Sequence, residues 1–362
     1  MSFAWEAVGL MYTRTCPLAC GHCVTRSSPR AEGKMDPKDA ARYIGEAARV
    51  NASLCFTGGE PLLYAEEILG LVRLASDLGL RVSLVTGCGW AKEEARIEPV
   101  LSALAEAGLG HLAISWDPFH EPFLRRETAV RVAQVAAEQG LRPRIRSVFR
   151  PFDSLETRAR YFSDFAPFSE LHEASEVLPV GRAENLPEES FDWSERANGG
   201  FCPSVVLPVV RWDGTVYACC GPSLDAKAGS PLILGNALEE PLDQILERGR
   251  LDPLLHAIHA IGPQALGRLI AEGSPSSQPS AGICQVCLTL TNDPSLVSRI
   301  RERLAQPELR LLVAAILLGR RAKKPKGAPA EARRKERERR KEAALAGCGN
   351  GCGCEMEKEE TR

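Results

Sequence analysis

Short apolar runs alternate with longer amphipathic stretches through the first half of the chain. The runs near 6–12, 53–57, 81–86, 111–115, 142–149 and 171–178 read as strands. Between them the spacing of apolar residues is helical. Asp36-Pro37 marks one helix start, a capping residue followed by proline at the first helical position, and that helix runs to about Val50. Helices near 65–78 and 121–139 end at Gly79 and Gly140. The stretch 91–107 contains Pro99, which predicts a break there or a fresh helix beginning at the proline. Repeated strand–helix units imply a parallel sheet with helices outside it.

The pattern changes in the second half. The segment FCPSVVLPVVRWDGTVYACCG, beginning at Phe201, reads as a hairpin that turns at Asp213-Gly214 before Thr215–Ala218. Gly273–Gly282, GSPSSQPSAG, reads as a flexible loop. Leu309–Leu318 is interrupted by Arg310 and fits a buried amphipathic helix; it falls short of the ~18–20 apolar residues of a membrane span. Residues 320–342 hold 12 Lys/Arg against 4 Glu and read as a solvated charged run, which alone is weak ground for a nucleic-acid partner.

Composition changes little in this picture. Of the 362 residues, 44% are hydrophobic and 25% charged, and the net charge is −2, an ordinary balance for a soluble protein of about two domains. The start, MSFAWEAVGL, lacks a basic segment and a cleavage site, so no signal peptide is expected. The 13 cysteines are clustered, which argues for metal ligands in a reducing, cytoplasmic compartment rather than disulfides.

The tightest cluster is Cys16, Cys20 and Cys23, spaced C-x3-C-x2-C just after the first predicted strand. Three thiolates leave one iron of a [4Fe–4S] cube free for another molecule. Structural zinc usually takes four protein ligands. An odd number in so tight a loop suits disulfides poorly. The spacing resembles the signature of radical S-adenosylmethionine (AdoMet) enzymes. In that family the free iron binds AdoMet, and an electron from the cluster cleaves it to methionine and a 5′-deoxyadenosyl radical, which takes a hydrogen atom from the substrate. A second likeness follows the second strand, where Gly58-Gly59-Glu60-Pro61 matches the family's GGE motif. The resemblance implies that this segment holds the AdoMet amino group; standing alone, it would read as a turn before a helix. It also implies a partial (β/α)6 barrel, with its chemistry at the C-terminal ends of the strands.

Further candidates lie at those ends. Ser115 and Asp117 stand where similar enzymes have an S-x-D element near the AdoMet ribose or the substrate, and Asp117 reads equally as a helix cap. Arg142, Arg144 and Arg146 share one face of the fifth strand; such a stripe is usually solvated, but turned inward one of them, Arg144 being the candidate, would meet the AdoMet carboxylate. Pro179-Val-Gly-Arg-Ala, with Arg182, resembles a PxGRA segment of one subfamily. Cys55 and Cys88 read as core or near-core thiols, Trp116 and Phe119 as core residues, and His256 and His259 as packing or surface residues.

Cys202 and Cys219 with Gly214 fit C-x11-G-x4-C, and Cys284-x2-Cys287 follows. This resembles the auxiliary-cluster module called SPASM, or its shorter form, twitch. The resemblance implies an auxiliary [4Fe–4S] cluster on Cys202, Cys219, Cys284 and Cys287, with Cys220 competing with Cys219. A zinc site on the same four is the alternative. The full pattern would place a cysteine where Asp293 stands, so Asp293 is a candidate ligand for a second cluster, along with Cys348, Cys352 and Cys354 in the Gly/Cys tail. The tail reads equally as a mobile thiol segment or as an end without a role.

The expected division is a radical SAM core at 1–195, a SPASM/twitch-like domain at 196–300, a helix at 301–319 and a charged, cysteine-containing tail at 320–362. The resemblance implies an oxidoreductase that crosslinks or oxidises a ribosomally made peptide or protein, with flavodoxin or ferredoxin as reductant. Fifteen residues precede Cys16, so a separate peptide-recognition protein is an expected partner. The alternatives are a radical SAM dehydrogenase or rearrangement enzyme acting on a small molecule in natural-product or cofactor synthesis, and a non-catalytic iron–sulfur or metal-handling protein.

Overall fold

The computed structural model describes residues 4–51, 53–169, 171–194, 199–271 and 280–323. Six strands come first: β1 (Val8–Thr13), β2 (Ser53–Gly58), β3 (Arg81–Thr86), β4 (Leu109–Ser115), β5 (Arg142–Phe149) and β6 (Leu171–Glu176). They are all parallel and stand side by side in sequence order. Each crossover therefore advances one strand in one direction, which puts the helices on one side and curls the sheet. Those helices are α1 (Pro37–Val50), α2 (Ala65–Asp77), α3 (Ile97–Ala107), α4 (Arg126–Glu138) and α5 (Leu155–Ser163). The pairing stops at β6, so the barrel is partial.

Local chemistry sets the boundaries. The Asp36 carboxylate accepts from the Lys38 amide at 2.7 Å, with Pro37 at the first position of α1. Gly79 and Gly140 close α2 and α4 at φ +82° and +74°. Pro99 lies in the first turn of α3, where its missing N–H has no intrahelical partner to lose. The helix anticipated from 121 begins only at Arg126. The intervening chain is folded into turns by the Asp117 carboxylate, which accepts from the Phe119 and His120 amides.

β1 is buried at all six positions because the sheet continues beyond it. β7 (Val209–Val210) pairs with β1 in parallel, and β8 (Thr215–Tyr217) and β9 (Ile233–Asn236) follow antiparallel. The hairpin turns where expected, and Gly214 there has φ +80°. The sheet thus runs unbroken across the boundary anticipated near residue 195. Helices α6 (Leu242–Gly249), α7 (Pro253–Ala260), α8 (Pro263–Ile270), α9 (Gly282–Thr291), α10 (Pro294–Leu304) and α11 (Pro307–Lys323) complete the described chain. Residues up to Leu317 form one compact unit.

α11 covers the amphipathic segment anticipated at 309–318. It is buried on one face only, at Val313 and Leu317, while Leu311 and Leu312 are exposed. Among the described residues no helix is long and apolar enough to cross a membrane. Most of the Gly273–Gly282 loop, the charged run from 324 onward, and Cys348, Cys352 and Cys354 lie outside the described residues.

Candidate active site

The loop after β1 brings Cys16, Cys20 and Cys23 to the wall of a cavity of about 450 Å³ at the C-terminal ends of the strands. Backbone amides aim at two of the sulfurs, Leu18 N–H at Cys16 Sγ and Ser27 N–H at Cys23 Sγ, each at 3.4 Å. Burial pushes the Cys16 thiol up to about 12, and Glu60, Cys20 and Cys23 add to the rise. Three soft sulfur donors with amide support suit iron–sulfur ligation, and a bound cationic centre would draw their protons off.

Gly58 and Gly59 border the same cavity. Their backbones press on the exit of β1: a Cβ on Gly58 would lie 2.4 Å from the Thr13 carbonyl oxygen, and one on Gly59 would lie 2.2 Å from that of Thr15. The glycines therefore let β2 pass close beneath the root of the cysteine loop. Glu60 turns the other way. It is fully buried, accepts from Leu62 N–H at 3.2 Å, Thr86 Oγ1–H at 2.8 Å and Gly87 N–H at 3.1 Å, and does not line the cavity. Burial raises its pKa to about 7 against the lowering effect of those donors. Pro61 is buried at the start of the short 3₁₀ turn that Glu60 caps.

Ser115 lines the cavity, and Asp117 closes it from the end of β4. Asp117 lines the cavity and also caps the turn that follows it. Its Oδ1 caps the following turn and lies 2.8 Å from His120 Nδ1, while Oδ2 accepts from the Val148 amide at 3.1 Å and faces His22 Nε2 at 3.5 Å. Burial opposes its ionisation, but His120, His22 and the Val148 amide outweigh it and hold the carboxyl below its usual range. Burial drives the pKa of His22 down to about 4, with Asp117 opposing. His22, Asp117 and His120 have the grouping of a metal site. Both carboxylate oxygens already accept from backbone amides, however, so Asp117 is the engaged centre of the trio, while His22 stacks on Phe119 at 4.6 Å and keeps a buried Nδ1 without a hydrogen-bond partner. Sequence reasoning passed over both histidines, although His22 sits inside the cysteine motif.

The arginine stripe of β5 lies on the exposed face of that strand, opposite the buried Pro143, Ile145, Ser147 and Phe149. Its cavity member is Arg146, which pairs with Glu173 at 3.1 Å; Arg144 stands further down the strand and does not line the cavity. Arg182 holds the cysteine loop from outside. Its guanidinium donates to the carbonyls of Cys20, at 2.8 Å, and Ser27, and its amide donates to that of Cys23 at 2.9 Å.

The second thiol set also assembles. Cys284 and Cys287 share a face of α9, and Cys287 is pushed well above its ordinary pKa by burial and then by Cys219, Cys202 and Cys284 around it. Burial likewise pushes Cys202 up to about 11. Cys220 lines the first cavity and also adds to the rise of Cys284, so it stands between the two thiol sets. Asp293 is engaged as the cap of α10, accepting from the Ser295 amide at 2.8 Å and the Leu296 amide at 3.3 Å. His259 Nδ1 lies 2.8 Å from the Cys202 carbonyl and His256 Nε2 lies 2.7 Å from that of Arg250, both packing contacts. Trp116 and Cys88 are buried, and Cys55 is half-buried on β2.

A partial parallel barrel with a thiol loop over its strand ends, flanked by a hairpin that carries more thiols, is the architecture of an AdoMet-dependent radical enzyme with an auxiliary cluster. The chain carries a radical SAM domain, matched over residues 10–148, and the iron–sulfur cluster-binding domain called SPASM, matched over residues 206–263. The cofactors of these domains are a [4Fe–4S] cluster with AdoMet and auxiliary iron–sulfur clusters. Among curated proteins it is similar to the putative peptide biosynthesis protein YydG of Bacillus subtilis, with 19% identity over 81% of this chain and 94% of that one. It is also similar to the PqqA peptide cyclase of Rhodopseudomonas palustris, with 35% identity over 30% of this chain and 28% of the cyclase. Streptococcus suis SuiB bound to the precursor peptide SuiA shares the fold, with a TM-score of 0.54 and 17% identity over 72% of this chain and 68% of SuiB.

Proposed function

We propose that this radical SAM enzyme modifies a peptide, and that Cys16, Cys20 and Cys23 hold its AdoMet-binding cluster. One observation carries the assignment: these thiols, the backbone of Gly58-Gly59 and Ser115 border a single cavity at the strand ends. When bound, the cluster and AdoMet supply a radical that removes a hydrogen atom from the substrate. The chain's own residues then have distinct tasks. Leu18 and Ser27 N–H support the sulfurs, Gly58 and Gly59 give the cofactor backbone to lie against, and Arg146 offers a cation to a carboxylate. Glu60 and Pro61 act behind this surface by fixing the ends of β2 and β3.

Cys202, Cys219, Cys284 and Cys287 are the auxiliary ligands in this reading, and the division near residue 195 separates the two cluster-bearing parts. Four thiolates close that site, which favours electron transfer or structural support over substrate binding. The likeness to YydG and to the PqqA cyclase supports a peptide substrate. A flavodoxin- or ferredoxin-like reductant in the cytoplasm, with a separate peptide-recognition protein, fits that substrate.

The test is anaerobic co-expression with each short reading frame encoded near the gene, followed by intact mass of the peptides and assay of 5′-deoxyadenosine. A peptide that stimulates 5′-deoxyadenosine formation and leaves lighter by two hydrogens, both effects lost when the three cysteines become Ala, supports the proposal. A preparation that cleaves AdoMet but responds to no peptide points to a small-molecule substrate.

A further inference from the structure

Two thiol-bearing segments meet at one carboxylate. Asp225 ends a short 3₁₀ turn, Pro222–Asp225, that follows Cys219 and Cys220. In that turn the Ser223 hydroxyl donates to the Cys219 carbonyl at 2.7 Å. Both Asp225 oxygens reach the barrel: Oδ1 accepts from the Arg26 guanidinium at 2.5 Å, and Oδ2 accepts from the Gly181 amide at 2.7 Å. From the other side, Asn292, five residues beyond Cys287, donates to the Asp225 carbonyl at 3.4 Å and accepts from the Lys227 amide at 2.8 Å.

Arg26 follows Cys23 by three residues and has φ +51°, a left-handed conformation that non-glycine residues rarely adopt. Such backbone persists where its surroundings over-determine it. Here the anchors are Asp225 and, at 3.0 Å, Glu184, which grip the Arg26 guanidinium from two sides. The turn made by Arg26 aims the next amide, Ser27 N–H, at Cys23 Sγ across 3.4 Å. Hydrogen bonds to cluster sulfurs stabilise the more negative, reduced cluster and so raise its potential.

We propose that Asp225 is a positioning residue: by pinning Arg26 it keeps the Ser27 N–H on the Cys23 sulfur, so the segment carrying the auxiliary thiols sets the reduction potential of the AdoMet-binding cluster. The inference rests on Cys16, Cys20 and Cys23 being that cluster's ligands. Without the anchor, Arg26 relaxes to an ordinary negative φ and the Ser27 amide swings off the sulfur. The coupling runs from the auxiliary segment through Asp225 and Arg26 to Cys23.

The test uses the full chain, anaerobically reconstituted, with Asp225→Asn and Arg26→Met. The readout is the EPR signal that changes on adding AdoMet, followed through a redox titration, with iron content as the loading control. Both variants are expected to load both clusters. Their AdoMet-sensitive signal is expected to shift to lower potential, making reduction about tenfold less favourable at a fixed poise, or about 59 mV for one electron. Wild-type midpoints in both loaded variants overturn the proposal. If Asp225→Asn fails to hold its auxiliary cluster, Arg26→Met decides alone, because Arg26 lies on the barrel loop. An AdoMet-sensitive signal that survives Cys23→Ala refutes the ligand assignment and the inference with it. Unchanged midpoints with a Cys23-dependent signal refute the inference only.

Discussion

The Thr86 hydroxyl at the end of β3 donates to the Glu60 carboxylate at the end of β2 across 2.8 Å. Trp90 Nε1–H and the Cys88 amide both donate to that hydroxyl oxygen, at 3.1 and 2.9 Å. A motif residue expected at a ligand thus serves as the buried hub joining two strand ends, with its backbone neighbours facing the cavity in its place.

The hub has a pH signature. Burial raises the Glu60 pKa from about 4.5 to about 7, so between these values the folded protein holds a proton that the unfolded chain releases. Stability therefore falls as pH rises through that window, by on the order of 3 kcal/mol if the whole shift is expressed, and is flat above it. Thermal unfolding of the anaerobic holoprotein at pH 5 and pH 8 is expected to show a steeper loss in wild type than in Glu60→Gln. Equal slopes would remove Glu60 as the cause.

Gly59→Ala is expected to displace the cysteine loop, since its Cβ would sit 2.2 Å from the Thr15 carbonyl oxygen and 2.8 Å from Arg14 backbone atoms. About four irons per chain should be lost. Gly79→Ala is the control: its φ is +82° but nothing lies within 4 Å of the added carbon, so it should cost about 1 kcal/mol and no iron. Full iron in Gly59→Ala would show that the loop tolerates the collision.

The neighbours Cys219 and Cys220 can be told apart by substitution, although both act on Cys284. Cys219 shares surroundings with Cys202, Cys284 and Cys287, whereas Cys220 lines the cavity of the other thiol set. Cys219→Ser is expected to lose the auxiliary cluster, about four irons by analysis, and Cys220→Ser to keep it. The reverse outcome would move the ligand role to Cys220.

Asp117→Ala strands the Phe119 and Val148 amides, leaves the His120 amide only the residue 117 carbonyl, and removes the carboxylate beside two histidines. Unsatisfied buried donors cost about 1–3 kcal/mol each, so a loss of roughly 3 kcal/mol in denaturant unfolding is expected. A change below about 1 kcal/mol would mean that water replaces the carboxylate there.

The six barrel strands, four of the helices between them and the hairpin turn were legible because each rests on local pattern: apolar runs, the Asp36-Pro37 cap, and glycines at helix ends. The cysteine loop and GGEP were legible as motifs because their chemistry is contiguous. The late start of α4 was hidden, since the turns at 117–124 depend on the Asp117 carboxylate rather than on helix propensity. Asp293 read as a candidate ligand by spacing, and that reading gave no sign that its Oδ1 caps α10 by accepting from the Ser295 and Leu296 amides.

The chain's order alone determined the class of fold and the identity of the two thiol sets, because strand period and cysteine spacing are properties of neighbouring residues. Tertiary structure decided which of those residues face one another. Only the register of β4 against β5, with Ser115 opposite Arg146, puts Arg146 rather than Arg144 at the cavity. Only packing turns the Glu60 carboxylate inward and brings Cys220 to the wall of the first cavity. The joining of Cys23 to Cys219 through Arg26 and Asp225 likewise depends on residues 199 positions apart meeting in space. A carboxylate's partners are set by what the folded chain brings within hydrogen-bond reach, a distance that sequence separation does not encode.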